Sequence, residues 1–325
     1  MKVTRVLNKL NYFSYLFFRF KNYKLAFNFA HYHFPYNLLD EVECRNEHLY
    51  FRKSGNQIPV AVVPVFNERL DIMVLLLNNK RIKVVSSSAS HIQIVIDDIF
   101  LHIQSVANLF TAFEIFIEQI YDLSMPTPNN VIVDIGMNVG YASLFFASLD
   151  KVKKIYSFEP FPQTFEEAQH NLQLNPSLAN KIQSYNEGIS DYTGTISVPS
   201  FESGSAIATT NNVIAVGNSN TKAHINVSIK SIVEVLQEVF KQHPDTNIYY
   251  KIDCEGEEYK IVEALYNVEE TKKIAGFIIE WHVKGPEPII EYLEKYQFYV
   301  VNLPKPDHTS GMLYAFNSTI NSQHR

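Results

Sequence analysis

Three short stretches of the 325-residue sequence place carboxylates, glycines and a histidine in spacings that suit small-molecule chemistry. The first is Asp134-Ile-Gly136-Met-Asn138-Val-Gly140, which directly follows the apolar run Val131–Val133. A glycine-rich turn between a buried strand and a helix lets the backbone approach a ligand closely. The dinucleotide fingerprint Gly-x-Gly-x-x-Gly fails twice here, at Asn138 and at Tyr141. An acid at Asp134 would repel a pyrophosphate and would suit a cationic amino-acid group, so a hydride-transferring dehydrogenase is disfavoured. The second stretch is Tyr156-Ser-Phe-Glu159-Pro160, whose acid falls 19 residues after Gly140. At that spacing a carboxylate accepts hydrogen bonds from ribose hydroxyls. The competing role is helix capping, since Pro160 and Pro162 lead into a helix and acids favour its N-terminus. The third is Asp253-Cys-Glu255-Gly-Glu-Glu258, with Glu280-Trp-His282 further on. Carboxylates at Asp253, Glu255 and Glu258 are oxygen ligands of the type that hold a hard divalent cation. Acids in a first helical turn need no ion to be stabilising, however, and no metal is expected.

These residues require a scaffold that gathers strand ends. From Val131 onward, short apolar strands alternate with amphipathic helices: strands at Val131–Ile135, Lys154–Phe158, Ile182–Asn186, Ile248–Ile252, Ile274–Ile279, Phe298–Val301 and Met312–Phe316. Helices are expected at Tyr141–Leu149, from Gln163 to Leu174 and at Glu258–Leu265. The alternation predicts an α/β fold, a doubly wound, mostly parallel sheet with helices on both faces. Such sheets bind ligands at the carboxyl ends of their strands, where all three stretches fall.

Together the stretches resemble a known family. Asp134-x-Gly136-x-Asn138-x-Gly140, the Phe158-Glu159-Pro160 step and Asn186-Glu-Gly-Ile-Ser190-Asp191 look like the cofactor motifs of class I S-adenosylmethionine-dependent methyltransferases, whose fold is Rossmann-like. Tyr250-Lys-Ile-Asp253-Cys-Glu255-Gly-Glu-Glu-Tyr259 and Ile278-Ile-Glu280-Trp-His282 narrow the resemblance to the FkbM family. The resemblance spans roughly residues 105–316 and implies S-adenosyl-L-methionine as cofactor. Asp134, Gly136, Asn138 and Gly140 would then shape the pocket for its methionine part and Glu159 would bind the ribose. Ser190 or Asp191 would lie beside the adenine, and Asp253 would face the cofactor amine or the acceptor. Many class I enzymes carry glycine where Asn138 stands, although asparagine is familiar in the FkbM group. The resemblance also implies O-methylation of a hydroxyl on a sugar, glycan or natural product, with N-methylation or transfer to a carboxylate as the alternatives. Methyl transfer needs an aligned acceptor and a group that removes its proton. His282, as a neutral imidazole past the fifth strand, is the candidate base, with Glu280 or Asp253 orienting it or sharing the role. Cys254 alternates away from Asp253 and is expected as a small core residue. A non-catalytic binding module that keeps the fold is the reading from another class.

Composition bounds the rest. At 46% hydrophobic and 19% charged residues the chain is neither disordered nor fibrous. Two cysteines exclude a disulfide framework or thiolate metal cluster and point to a reduced, cytoplasmic setting. The formal charge of −6 gives no footprint for nucleic acid, so the expected partner is a small-molecule or glycan acceptor. That charge is uneven: residues 1–39 hold six Lys or Arg and no carboxylate, leaving −12 on the remainder. Within this basic arm many aromatics are interleaved, and Asn11 and Ser14 interrupt any signal-like apolar run. The arm is either a helical extension packing its aromatics on the protein or an amphipathic element making peripheral contact with a membrane, possibilities that share one periodicity. Residues 40–104 alternate apolar runs (Val60–Val65, Ile72–Leu77, Ile92–Ile96) with turns and predict a small leading subdomain of short strands. A helix at Phe110–Leu123 leads into the methyltransferase-like domain, 105–325, in which the Ser/Thr/Asn-rich segment Ser200–Asn226 suggests a substrate cover or a solvated insertion.

Overall fold

The computed structural model describes residues 2–123, 125, 128–200, 223–306 and 308–321. The chain divides into two compact units, residues 1–120 and 121–325. The boundary falls later than residue 105 because the helix that follows that point packs with helices of the first unit.

The first unit opens with α1 (Lys2–Phe20) and α2 (Tyr23–His31). The Asn22 side chain caps α2 by accepting the Leu25 N–H at 3.0 Å. Tyr12, Leu16 and Phe20, four residues apart, bury one side of α1, and Leu25 and Phe29 bury the matching side of α2. Two three-stranded antiparallel sheets follow, β1 (Val42–Arg45), β2 (His48–Phe51) and β3 (Gln57–Pro59), then β4 (Ile82–Ser87), β5 (Ile92–Ile96) and β6 (Ile99–Ile103). Between them the two apolar runs expected as strands are helical. Val60–Val65 lies in a 3-10 helix, Val60–Arg69, and Ile72–Leu77 in α3 (Leu70–Leu77). Short apolar runs lack the period that separates a buried strand from a buried helix. Pro64, inside the first run, also has no N–H to offer a sheet. The last helix, α4 (Val106–Phe113), starts before Phe110 because the Ser105 hydroxyl caps it through Asn108 N at 3.0 Å. Its continuation as a wider turn stops at Gln119, whose left-handed φ of 57° cannot extend a helix to Leu123.

The second unit is built on a seven-stranded sheet. Its elements are β7 (Asn130–Ile135), α5 (Tyr141–Ser148), β8 (Val152–Phe158), α6 (Pro162–Leu174), α7 (Pro176–Ala179), β9 (Ile182–Tyr185), β10 (Gly188–Ser190), β11 (Gly194–Ser200), β12 (Ala223–Ser231), α8 (Ile232–Gln242), β13 (Ile248–Ile252), α9 (Glu258–Leu265), β14 (Gly276–His282), α10 (Glu287–Lys295), β15 (Phe298–Pro304) and β16 (Ser310–Asn317). The strand order is β15-β16-β14-β13-β7-β8-β9, and β16 alone runs against the others. The central strands β7 and β13 are buried at every position, as strands covered on both faces must be. Val131, Val133, Ile135, Tyr250, Ile252 and Ile279 join α8 and α9 in one core. The chain winds outward from β7 through β8 to β9, then returns to build β13 and β14 on the other side. The crevice above the β7–β13 pair is therefore the topological switch point. A separate small sheet orders β10-β12-β11. Most of the Ser200–Asn226 segment lies outside the described residues; its two ends belong to β11 and β12. No helix among the described residues is long and apolar enough to cross a membrane.

Candidate active site

Every candidate group but two sits at a carboxyl end of β7, β8, β13 or β14. The turn after β7 is built from left-handed residues: Gly136 (φ 82°), Asn138 (φ 52°) and Gly140 (φ 86°). A Cβ on Gly136 would lie 1.8 Å from the Asp253 carbonyl oxygen, so only glycine permits this crossing of two strand ends. Glu159, 4% exposed, reaches back from the end of β8. Its carboxylate accepts the N–H of Asn138 at 2.9 Å and of Phe161 at 3.0 Å, which ties the turn to the next strand and serves the following helix. Burial outweighs those bonds and raises its pKa to about 7. The role expected at the helix start is met, since Phe161 N–H, at the start of α6, donates to this side chain.

Asp134 takes a different place from the expected one. It lies fully buried near the end of β7, with no side-chain surface left exposed. Its Oδ2 accepts the Ser143 hydroxyl, which also meets Ser157 at 2.8 Å, and its Oδ1 lies 3.2 Å from the Lys251 ammonium. Lys251, also buried, donates to the Gly136 carbonyl and stands 3.5 Å from Asp253. Burial works against its charge, yet Asp134 and Asp253 outweigh it and raise the pKa. The negative charge expected to attract a cationic ligand is thus matched internally. Lys251 went unassigned in the sequence reading; the signal was a lone cation in an otherwise apolar strand, Ile248-Tyr-Tyr-Lys-Ile252.

Ser190 and Asp191 close β10, outside the main sheet. Ser190 is buried, with its hydroxyl at the Glu257 carboxylate and 2.9 Å from Asp191. Asp191 is exposed.

The remaining groups gather across β13 and β14. Asp253 accepts the Tyr121 hydroxyl at 3.1 Å. Glu258, at the start of α9 and fully buried, accepts the N–H groups of Gly256 and His282, each at 2.7 Å, and faces His282 Nδ1 at 3.2 Å. His282 Nε2 lies 3.6 Å from Glu280 and 3.8 Å from Glu255. Lys305 donates to Glu280 at 2.8 Å. Burial lowers the His282 pKa, but Glu258 and Glu280 outweigh it and hold the ring protonated, with a pKa of about 11. The Glu258 carboxylate, which converges on the ring from another element, favours the imidazolium over the neutral imidazole expected from sequence. Glu280 is pushed up by burial and pulled further down by His282 and Lys305. Glu255 behaves oppositely: burial raises it to about 7 against the pull of His282. Its side chain is 37% exposed, against 27% for Asp253, 13% for His282 and 10% for Glu280, so it is the most solvent-exposed acid of the group. Burial and the Glu258 carboxylate raise the Cys254 thiol well above its usual range, which removes it as a thiolate nucleophile. Left-handed backbone recurs at Glu255 (φ 52°) and at Val283 (φ 64°), directly beside these groups.

The match to known proteins covers this same machinery. The model of the methyltransferase FkbM domain matches residues 134–300, just over half the chain. The chain belongs to the FkbM family of S-adenosylmethionine-dependent methyltransferases. Methyltransferase sdnD of Sordaria araneosa is 25% identical over 213 residues, 59% of this chain and 82% of that protein. Methyltransferase 1 of Beauveria bassiana is 34% identical over 82 residues, 24% of this chain and 33% of that one. An FkbM methyltransferase structure from Methylobacillus flagellatus aligns with 60% of this chain at 14% identity and a TM-score of 0.40, and this chain spans 45% of its length. In the FkbM chain described here, the residues fit the family's cofactor. Glu159 sets a buried carboxylate against the glycine turn, where it accepts the Asn138 N–H. The residues whose ligand-type atoms converge are Asp253, Glu280 and His282, within 4.8 Å of one another, rather than the Asp253, Glu255 and Glu258 set suggested by the sequence. Lys251 and Lys305 already supply positive charge to two of the three.

Proposed function

We propose that this FkbM methyltransferase O-methylates a hydroxyl of a sugar, glycan or related natural product, with Glu255 as the proton acceptor. The observation that carries the reading is the division of labour among the acids at the switch point. Glu258 and Glu280 are buried and committed to His282, and Asp253 is shared between Lys251 and Tyr121. Glu255 is the most exposed of these acids, its side chain 37% exposed and 3.8 Å from His282 Nε2, and its pKa of about 7 lies where a general base works best. S-adenosylmethionine supplies a methyl group already activated on a cationic sulfur. Glu159 and the Gly136–Gly140 turn would hold the donor; Asp253 and His282 offer an acceptor and a donor of hydrogen bonds, the pair a polyhydroxylated molecule needs for orientation. As the new carbon–oxygen bond forms, the methyl carbon–sulfur bond breaks and its electron pair leaves with the sulfur as neutral S-adenosylhomocysteine, while the hydroxyl proton passes to Glu255 and His282 steadies the acceptor oxygen. The test is transfer of labelled methyl to panels of hydroxyl, amine and carboxylate compounds. Ether products that decline when Glu255 becomes glutamine support the reading. Products methylated on nitrogen or carboxylate would refute it.

A further inference from the structure

The outward face of the α1–α2 pair carries a continuous row of aromatic rings. Phe17 meets Phe18 and Phe13 at centroid distances of 5.9 and 6.4 Å, Phe13 meets Tyr23 at 5.6 Å, Tyr23 meets Phe27 at 6.4 Å, and Phe27 meets His31 at 5.7 Å. These rings are not the ones that stabilise the helical pair, since its core is Tyr12, Leu16, Phe20, Leu25 and Phe29 on the opposite side. The outer row stays in solvent, with Phe18 76%, Tyr23 64% and Phe27 50% exposed. An exposed apolar stripe of this extent marks an interaction surface.

Charge decides what covers it. Lys21 and Lys24 are exposed beside the rings and make no ion pair among the described residues. Arg19 engages Asp40 at 2.7 Å, and the Glu47 carboxylate accepts from the Asn22 side chain at 3.0 Å, so both acids that meet the arm are engaged by it. No acid precedes Asp40, so the whole arm presents cations only, while the rest of the protein is acidic. Rings that anchor in the headgroup layer, flanked by lysines, are the chemistry of a helix lying on an anionic bilayer. A second copy of this chain would bring six like charges against six.

We propose that this face of the α1–α2 pair docks the protein on an anionic membrane surface, with the Phe17, Phe18, Tyr23 and Phe27 rings in the headgroup layer and Lys21 and Lys24 against acidic lipids. Each lysine near such a surface contributes about fivefold in affinity, so Lys21→Ala with Lys24→Ala together lowers binding about 30-fold. Burying an exposed Phe ring contributes roughly tenfold or more, so Phe18→Ser with Phe27→Ser lowers it about 100-fold while charge is unchanged.

The experiment is co-sedimentation of the full chain with vesicles of phosphatidylcholine, with and without phosphatidylserine, and circular-dichroism melting of each variant. The expected result is binding only to the phosphatidylserine vesicles, weakened by salt and by both double variants, with melting unchanged because the replaced side chains are exposed. Absence of binding to either vesicle would overturn the proposal, as would equal binding to both. Concentration-dependent self-association that disappears in the Phe18→Ser, Phe27→Ser variant would overturn it too, by identifying a second copy as the occupant.

Discussion

Glu159 gives the cofactor site a defined pH response. Its carboxyl is buried and has a pKa of about 7, whereas an unfolded chain releases the same proton at about 4.3. Between those values the folded protein holds a proton that the unfolded chain has lost. The free protein is therefore stabilised by this group at low pH, and that contribution falls away as pH rises through about 7. Cofactor binding has the opposite sign. Ribose hydroxyls donate to the ionised carboxylate, so binding must expel the proton wherever it is present. At about pH 5.5 only one molecule in roughly 30 is ionised, against nearly all at about pH 8, so affinity falls about 30-fold over that span, about 2 kcal/mol. Calorimetric titration with S-adenosylhomocysteine across this range measures it, and buffers of different ionisation enthalpy count the released proton. Glu159→Gln, which keeps one acceptor and loses the charge, flattens the profile and binds roughly 10- to 100-fold more weakly at high pH. A dissociation constant of the parent that is flat with pH, or proton uptake on binding, would refute the assignment.

Lys251→Met leaves the buried Asp134 carboxylate itself as an uncompensated charge and is expected to cost about 3–5 kcal/mol in urea unfolding. Gly136→Ala drives a Cβ into the Asp253 carbonyl, so S-adenosylhomocysteine binding should vanish in a titration, with a lowered melting midpoint. Glu255→Gln is expected to reduce kcat about 100-fold or more and to remove the rise in rate centred near pH 7, while cofactor affinity changes little. Dialysis against a chelator should leave the rate unchanged, because Lys305 already neutralises Glu280 within the group of potential ligands.

The second unit was legible because its central strands are short, mostly apolar runs that end beside glycine or acid and alternate with amphipathic helices. Val131–Ile135 with its glycine turn and Lys154–Phe158 ending at Glu159 fall where the periodicity put them. In the first unit, Ile72–Leu77 had no alternation to reveal it as a helix, and Pro64 spoke against a strand only once the sheet pairing was known. Charge states were the least legible part. Asp134 acquires Lys251, and His282 acquires Glu258, only when β13 and α9 are laid beside β7 and β14. Neither partner is marked by any local spacing.

The crossing at Gly136 also limits how such an enzyme can diverge. The donor-side turn and the loop that begins at Asp253 touch backbone to backbone, and Asp253 N–H is bonded to the Ile135 carbonyl at 3.0 Å. One cannot be reshaped without displacing the other. New acceptor preferences in descendants of this chain should therefore arise where the frame is not shared, in the turn around Val283–Gly285 that follows β14, and the 253–256 loop should tolerate almost no innovation.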